Sequence, residues 1–303
     1  MGLIDFILNL AALMLWLNWR TLPFDPLSTA TPATLIGTLR RAEPTRYKRW
    51  HFAVALGALL VLRAGFYRLV GPTVDWTGTL NLVATRLAFR SDSFNLMLLY
   101  SALSFCLLLG IFILWLLLLS VLSPATGGNQ LFSRLAHAHL GFVAGWPGWR
   151  KLLFPFVVGF VLWWLWTWPL AWWGLIPRPV SEIRRLAQAA LVGLSAYFAW
   201  QYLIAALLTA YLLHNYLYFG RHVIWSFVDE TARRLLEPLR QLPLRVGKVD
   251  LSPVVAIAVV CLFAQFAEHG LRPPIQFDPT NGRPELPAWE IPGLQQVYEW
   301  VSR

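Results

Sequence analysis

From Phe94 to Leu122 the chain reads FNLMLLYSALSFCLLLGIFILWLLLLSVL, without one charged residue. A helix needs roughly 17–25 mostly apolar residues to cross the hydrocarbon of a bilayer. This run is longer than that, so it is expected to tilt or to project from the membrane. No water reaches backbone groups in hydrocarbon, and only helices and closed barrels satisfy their own N–H and C=O there. A run this long and this apolar therefore predicts a membrane-spanning helix.

Composition extends the point to the whole chain. Hydrophobic residues make up 57% and charged residues 13%, against about 45–50% and about 25% in ordinary soluble domains. Five more apolar runs are expected to span: 3–19, 51–70, 152–175, 186–213 and 251–271. The fold class is therefore all-α, a polytopic transmembrane helical protein of about six spans. Run 3–19 is short and holds Asp5 and Asn9. Run 51–70 is interrupted by Arg63 and Arg68, whose long side chains are expected to snorkel to an interface. Run 152–175 carries Trp163, Trp164, Trp166, Trp168, Trp172 and Trp173, with Pro155 and Pro169. Its Trp cluster predicts an interface belt and, being larger than one anchor needs, contact with a partner subunit. Pro169 predicts a kink or an early stop. The N-terminus has no basic region ahead of its apolar run, so it reads as a first span and not as a cleaved signal peptide. Cys106 and Cys261 fall in apolar runs with no CxxC or Cys/His spacing, which predicts neither a disulfide framework nor a zinc site.

The spans fall into pairs. First members begin near 3, 94 and 186, and second members near 51, 152 and 251, each pair separated by a long basic segment. LFSRLAHAHL (131–140) parallels WSFVDETARRLL (225–236), KLLFPFVVGFVLWWL (151–165) parallels KVDLSPVVAIAVVCL (248–262), and GLIPRP (174–179) parallels GLRPP (270–274). In this alignment Pro155 and Pro253 both stand at helix starts. The expected units are a hairpin over 1–75, a possible degenerate copy, then tandem hairpins over 76–179 and 180–274, and a tail over 275–303. Basic residues concentrate within the pairs: Arg20, Arg40, Arg41, Arg46, Lys48 and Arg49; Arg134, Arg150 and Lys151; Arg221, Arg233, Arg234, Arg240, Arg245 and Lys248. The remaining segments are nearly balanced in charge. By the positive-inside bias the long segments are cytoplasmic and both termini lie outside. The net charge of +10 follows from this bias and does not point to nucleic acid.

The segment between the last two spans is the most structured by pattern. Val228, Ala232, Leu235, Leu239 and Leu242 recur at helical spacing. Glu230 with Arg234, and Arg233 with Glu237, form i,i+4 pairs on the other face. An amphipathic helix over 226–242 is expected to lie in the cytoplasmic interface. Pro238 bends it near Glu237 and Pro243 ends it. Arg245, Gly247 and Lys248 make a basic turn. Asp250 or Ser252 caps the last span, with Pro253 in its first turn. Arg233, Arg234, Arg240, Arg245 and Lys248 are the candidate residues for anionic lipid head groups or a partner. In the tail, Leu294, Val297 and Val301 share one face of a short surface helix.

LEPLRQLP, a short basic turn with Gly, and VDLSPVVAIAVV resemble the signature of the YggT family of small bacterial and plastid membrane proteins. The residues that carry the resemblance are Pro238, Arg240, Pro243, Gly247, Asp250, Ser252 and Pro253, within about 186–271. The unit 94–175 is a weaker copy, with Phe154 where the motif has Ser. The chain departs from the family in its length and in Glu237. The resemblance implies a non-enzymatic integral protein of the bacterial cytoplasmic membrane, with family roles in envelope organisation, division, osmotic tolerance and cytochrome maturation.

Motifs for catalysis are not found: there is no P-loop, G-x-G-x-x-G, G-x-S-x-G or H-E-x-x-H. His137 and His139 are two apart and point in different directions on a helix. Haem held by His214 and His269 conflicts with the predicted topology, which puts them at opposite faces. Polar residues within spans are functional candidates by default, here Gln201, Gln265, Glu268, His269 and Arg63, with the two glutamines expected to hydrogen-bond across helices. The expectation is a structural, assembly or accessory subunit without catalysis, cofactor or metal, whose partners are anionic lipid and other membrane subunits. A small-solute channel or transporter, and a haem-handling factor, are the alternatives.

Overall fold

A computed structural model describes residues 2–20, 49–122, 139–179, 181–216, 223–241, 245–246, 249–271 and 291–302. The fold is all-α and polytopic. Its helices are α1 (Gly2–Arg20), α2 (Arg49–Val70), α3 (Phe94–Leu122), α4 (Gly148–Trp172), α5 (Glu182–Ser195), α6 (Ala199–Tyr216), α7 (Val223–Leu235), α8 (Ser252–His269) and α9 (Leu294–Ser302). Among the described residues, six stretches are long and apolar enough to cross a membrane: Gly2–Arg20, Arg49–Val74, Phe94–Leu122, Gly148–Trp172, Glu182–Tyr216 and Ser252–His269. The short strands are β1 (Gly78–Asn81), β2 (Arg86–Phe89), β3 (Arg245–Val246), β4 (Val249–Asp250), β5 (Gly270–Leu271) and β6 (Ile291–Pro292). The chain divides into two compact units, Met1–Gly78 with Ala88–Gly110, and Thr79–Leu87 with Ile111–Arg303.

The first unit is packed inside out relative to a soluble domain. Its outward residues include Leu3, Phe6, Ile7, Leu62 and Leu69, while Asn9, Arg63, Ser101 and Ser104 are buried. Lipid provides no hydrophobic force between helices, so close packing and interhelical hydrogen bonds hold them together. On α1 the buried positions Asn9, Ala12, Leu13 and Trp16 recur at helical spacing. The Ser101 hydroxyl donates to the Leu60 carbonyl at 3.0 Å. The run 51–70, the least regular by pattern, forms α2 entire.

In the second unit α4 and α5 pack antiparallel and close. A Cβ on Gly159 would lie 3.0 Å from the Gly193 Cα, and one on Gly193 would lie 2.8 Å from the Phe156 carbonyl oxygen. Small residues at such a crossing let two backbones approach. The run 186–213 is not one straight span. It begins at Glu182 and breaks at a 3-10 turn, Ala196–Phe198, into α5 and α6, because 35 residues exceed what one straight crossing accommodates. Pro155 is also not at a helix start. Pro147 is the N-cap of α4, and Pro155 and Pro169 both lie inside the helix. Since α4 already begins at Gly148, the register that pairs Pro155 with Pro253 does not hold for the helix ends. Pro253 does stand in the first turn of α8.

Reciprocal indole bonds tie the later part of α3 to the start of α6: Trp115 Nε1 donates to the Ala199 carbonyl at 2.8 Å, and Trp200 Nε1 to the Leu114 carbonyl at 3.0 Å. A core of Leu118, Leu203, Leu207, Leu208, Tyr211, Val228, Ala232, Leu236 and Ala256 joins α3, α6, α7 and α8. The β3–β4 pair, with Arg245 opposite Asp250 and Val246 opposite Val249, reverses the chain into α8.

The C-terminal segment returns to the bundle. Gly270 pairs with Pro292 and Leu271 with Ile291. The strands come so near that a Cβ on Gly270 would meet the Ile291 carbonyl oxygen at 2.1 Å, and Gly270 has a φ of +75°. Beyond this strap α9 buries Tyr298, whose ring lies 6.2 Å from that of Trp163. That burial pushes the Tyr298 phenol up to about 12, with a Thr85 hydrogen bond acting the other way. On α9 Tyr298 is buried, while the predicted Leu294, Val297 and Val301 are half-buried. Gly270→Val combines a forbidden φ with a backbone clash. It is expected to release 291–302 and raise hydrogen exchange in α9 by about tenfold or more, with exchange in α6 unchanged.

Candidate functional site

The basic segment before α8 is an amphipathic helix, but its apolar face covers protein. Val228, Ala232 and Leu236 are buried in the core with α3, α6 and α8, and Leu235 and Leu239 pack against it. Helical periodicity alone does not distinguish a face that meets lipid from one that meets other helices. The helix also ends sooner than 242: α7 stops at Leu235 and a 3-10 turn, Glu237–Gln241, follows. The break falls at Pro238, which has no N–H to continue the ladder.

The arginines on the opposite face have defined partners. Arg234 donates to Glu230 at 2.8 Å, as the spacing predicts. Arg233 pairs not with Glu237 but with Asp229, at 2.9 Å, since Glu237 lies beyond the last helical turn. Both pairs are largely solvated and hold little stability, about 0.3–0.5 kcal/mol each. Arg234 has a second role. Its Nη1 donates to the carbonyl of Leu122 at 2.7 Å. Leu122 ends α3, where the last four carbonyls lack helical donors and the dipole favours a cation. Arg234→Ala is expected to lower stability by about 1 kcal/mol, read as a fall in thermal unfolding midpoint in detergent, with Arg233→Ala nearly neutral.

Lys151, at the start of α4, is buried and donates to Ser120 Oγ at 2.8 Å, so two cations serve the same end of α3. His214 stacks on Trp225 with ring centroids 5.1 Å apart. At the start of α8 the Asp250 carboxylate accepts from the Ser252 N–H at 3.0 Å, while Leu251 holds the N-cap position without a side-chain cap bond. The Arg240 and Arg245 side chains, and Pro243, Gly247, Lys248, Arg134 and His137, lie outside the described residues.

Inside the spans two arginines are buried, each with a carboxylate and two aromatic rings. On α5, Arg185 Nη1 donates to Glu182 at 3.2 Å and Nη2 to the Trp164 carbonyl at 2.6 Å. Its guanidinium lies 4.7 Å from the Trp164 ring and 5.5 Å from the Trp168 ring. Part of the tryptophan cluster of α4 is thus a cage for a cation from the next helix. Trp163 is buried, whereas Trp164, Trp166, Trp168, Trp172 and Trp173 each keep an exposed side, as does Trp149.

In the first unit, Arg63 does not snorkel. Its side chain is 1% exposed, because acceptors for both terminal nitrogens stand beside it. Nη1 donates to Asn9 Oδ1 at 2.6 Å, and Nη2 to Asp5 Oδ1 at 2.7 Å and to Ser104 Oγ at 3.0 Å. Asp5 also accepts from the Tyr67 hydroxyl and, at 3.0 Å, from the Tyr100 hydroxyl. Asn9 Nδ2 donates to Ser104 Oγ at 2.9 Å. The guanidinium lies 5.5 Å from the Tyr67 ring and 5.6 Å from the Tyr100 ring. Trp76 lies 4.7 Å from Tyr67 and 5.7 Å from Tyr100, and Phe89 lies 5.5 Å from Tyr100. Each helix contributes two polar residues one turn apart: Asp5 and Asn9, Arg63 and Tyr67, Tyr100 and Ser104. That spacing was the available signal for this network.

Of the other polar candidates, Glu268 accepts from Gln295 Nε2 at 3.1 Å, and the His269 carbonyl accepts from Gln296 Nε2 at 3.5 Å. Both help to hold the C-terminal segment. Gln201 is half-buried. Gln265 is exposed on α8 beside exposed Leu262, Phe263 and Phe266, so among the described residues it is not placed between helices.

Residues 186–271 match the family model described as CCB3/YggT. Searches of curated proteins and of solved structures gave no match for the chain.

Proposed function

We propose that this multi-pass membrane protein, which carries a CCB3/YggT domain over residues 186–271, is a structural, assembly or accessory subunit of a membrane complex without catalysis of its own. The observation that carries this reading is the outward face of α8. Gln265 stands there among Leu262, Phe263 and Phe266, with Cys261 also exposed. A side-chain amide facing lipid lacks partners, and a neighbouring transmembrane helix supplies them. The exposed tryptophans of α4 support the same reading. The buried cations Arg63, Arg185 and Lys151 all have partners within the chain, which favours a scaffold over a site of chemistry.

The same proposal places the protein in the bacterial cytoplasmic membrane, with the basic segments on the cytoplasmic side and both termini outside. Arg233, Arg234, Arg240, Arg245 and Lys248 then face anionic head groups or a partner, Arg234 with what its contact to α3 leaves over. It also treats 76–179 and 180–274 as tandem hairpins. Cys261 supplies the test. In a Cys106→Ser background, benzophenone maleimide on Cys261 is expected to crosslink a second, different polypeptide in native membranes, and Gln265→Leu is expected to reduce the yield. Crosslinks to lipid alone would remove the subunit reading.

A further inference from the structure

The deepest charge in the first unit is Arg63. It stands two turns before the end of α2, about 10 Å along the axis, and is 97% buried with only 3% of its surface exposed. Its counter-charge is not on α2. The carboxylate comes from Asp5 of α1, and the remaining acceptors from Asn9 of α1 and Ser104 of α3. Arg63 Nε is buried without a hydrogen-bond partner among the described residues. The guanidinium thus depends on α1 for its charge balance.

We propose that α1 licenses α2: by bringing Asp5 to Arg63 it makes α2 a stable span, so that the pair enters the membrane as one charge-balanced hairpin in one register. The observations exclude a simpler role for α1 as an anchor. The inner face of α1 is polar at its start, with Asp5 and Asn9, and apolar further on, with Ala12, Leu13 and Trp16. An anchor needs no inner polar face. Asp5 engages three donors from two other helices, Arg63 and Tyr67 of α2 and Tyr100 of α3. A carboxylate placed so fixes both the axial position and the rotation of α1, because a shift of one turn separates it from all three. Buried ion pairs are best attested in this role, setting register more than adding stability. The inference rests on the first unit alone and does not depend on the assembly reading.

The roles are unequal, and that gives the test. Asp5→Leu leaves Arg63 buried and uncompensated. Asp5→Leu with Arg63→Leu removes both charges and leaves two apolar helices. Replacing a buried pair by apolar residues is often neutral, whereas removing one member is not. Val74, exposed just beyond α2, serves as a reporter after Val74→Cys in a Cys106→Ser, Cys261→Ser background. A membrane-impermeant maleimide is applied to sealed vesicles of each orientation. The parent is expected to label from one side only. Asp5→Leu is expected to label from both sides, with one-sidedness reduced at least fivefold, and the double variant to return to one-sided labelling. One-sided labelling in Asp5→Leu at the parental rate would overturn the proposal. So would two-sided labelling that the double variant fails to restore, since the defect would then not arise from the lone arginine. Crosslinking from Cys261 in otherwise native chain reports on the assembly reading separately.

Discussion

Gly193→Leu is expected to be the most damaging single change in the second unit. A Cβ at this position meets the Phe156 carbonyl oxygen at 2.8 Å, the Phe156 ring at 3.2 Å and the Phe160 nitrogen at 3.2 Å. Two of these are backbone atoms of α4 and cannot rotate away, so the helices must separate. Overpacking of this kind costs about 1–3 kcal/mol where neighbours give way, and here the neighbours are backbone, which places the expected loss at about 3 kcal/mol or more. Separation at Gly193 also lengthens the Arg185 to Trp164 bond further along the same crossing. Gly193→Ala is expected to fall between the parent and leucine, and Gly57→Ala, with open space around it, to be close to neutral. Thermal unfolding midpoints in one detergent order the series, and a midpoint for Gly193→Leu equal to that of Gly57→Ala would refute the close crossing.

Arg185→Ala is expected to be next in size, at about 2–4 kcal/mol. It removes stacking on two indoles, worth about 0.5–2 kcal/mol when desolvated, and a charge-assisted bond to the Trp164 carbonyl, about 1.5–3 kcal/mol. The Glu182 carboxylate is largely exposed and adds little once screening is counted. Lysine should not rescue. It has no planar fork to lie on both rings while reaching a carbonyl and a carboxylate, so Arg185→Lys is expected to recover less than half of the loss. Full recovery by lysine would mean that charge alone matters at this site.

These features differ in how far the sequence exposes them. The run from Phe94 to Leu122 coincides with α3 because its composition admits no other structure in lipid. The break at Pro238 and the placement of Pro253 follow from a missing N–H, which is local chemistry. The network around Arg63 is non-local. Asp5, Arg63 and Tyr100 are spread over the first hundred residues. Asp5 and Arg63 each stand out within an apolar run, but only the i,i+4 polar pairs on three helices hint that they meet. Arg185 fell one residue outside the apolar run that begins at 186, and the indoles that cage it read naturally as a membrane belt. The amphipathic face of α7 was legible as a face but not as to what covers it, because lipid and protein select the same periodicity. The return of α9 depends on the approach of Gly270 to Gly293, which no local pattern announces across the segment 272–290.

In the proposed assembly a partner helix covers the outward face of α8, where Gln265 is exposed beside Leu262, Phe263 and Phe266. Native mass spectrometry of the untagged chain released in mild detergent tests that claim most directly. The prediction is an assembly in which the 34.5 kDa chain travels with at least one different polypeptide, and which Gln265→Leu weakens. A species at 34.5 kDa carrying only lipid, in parent and variant alike, would contradict it.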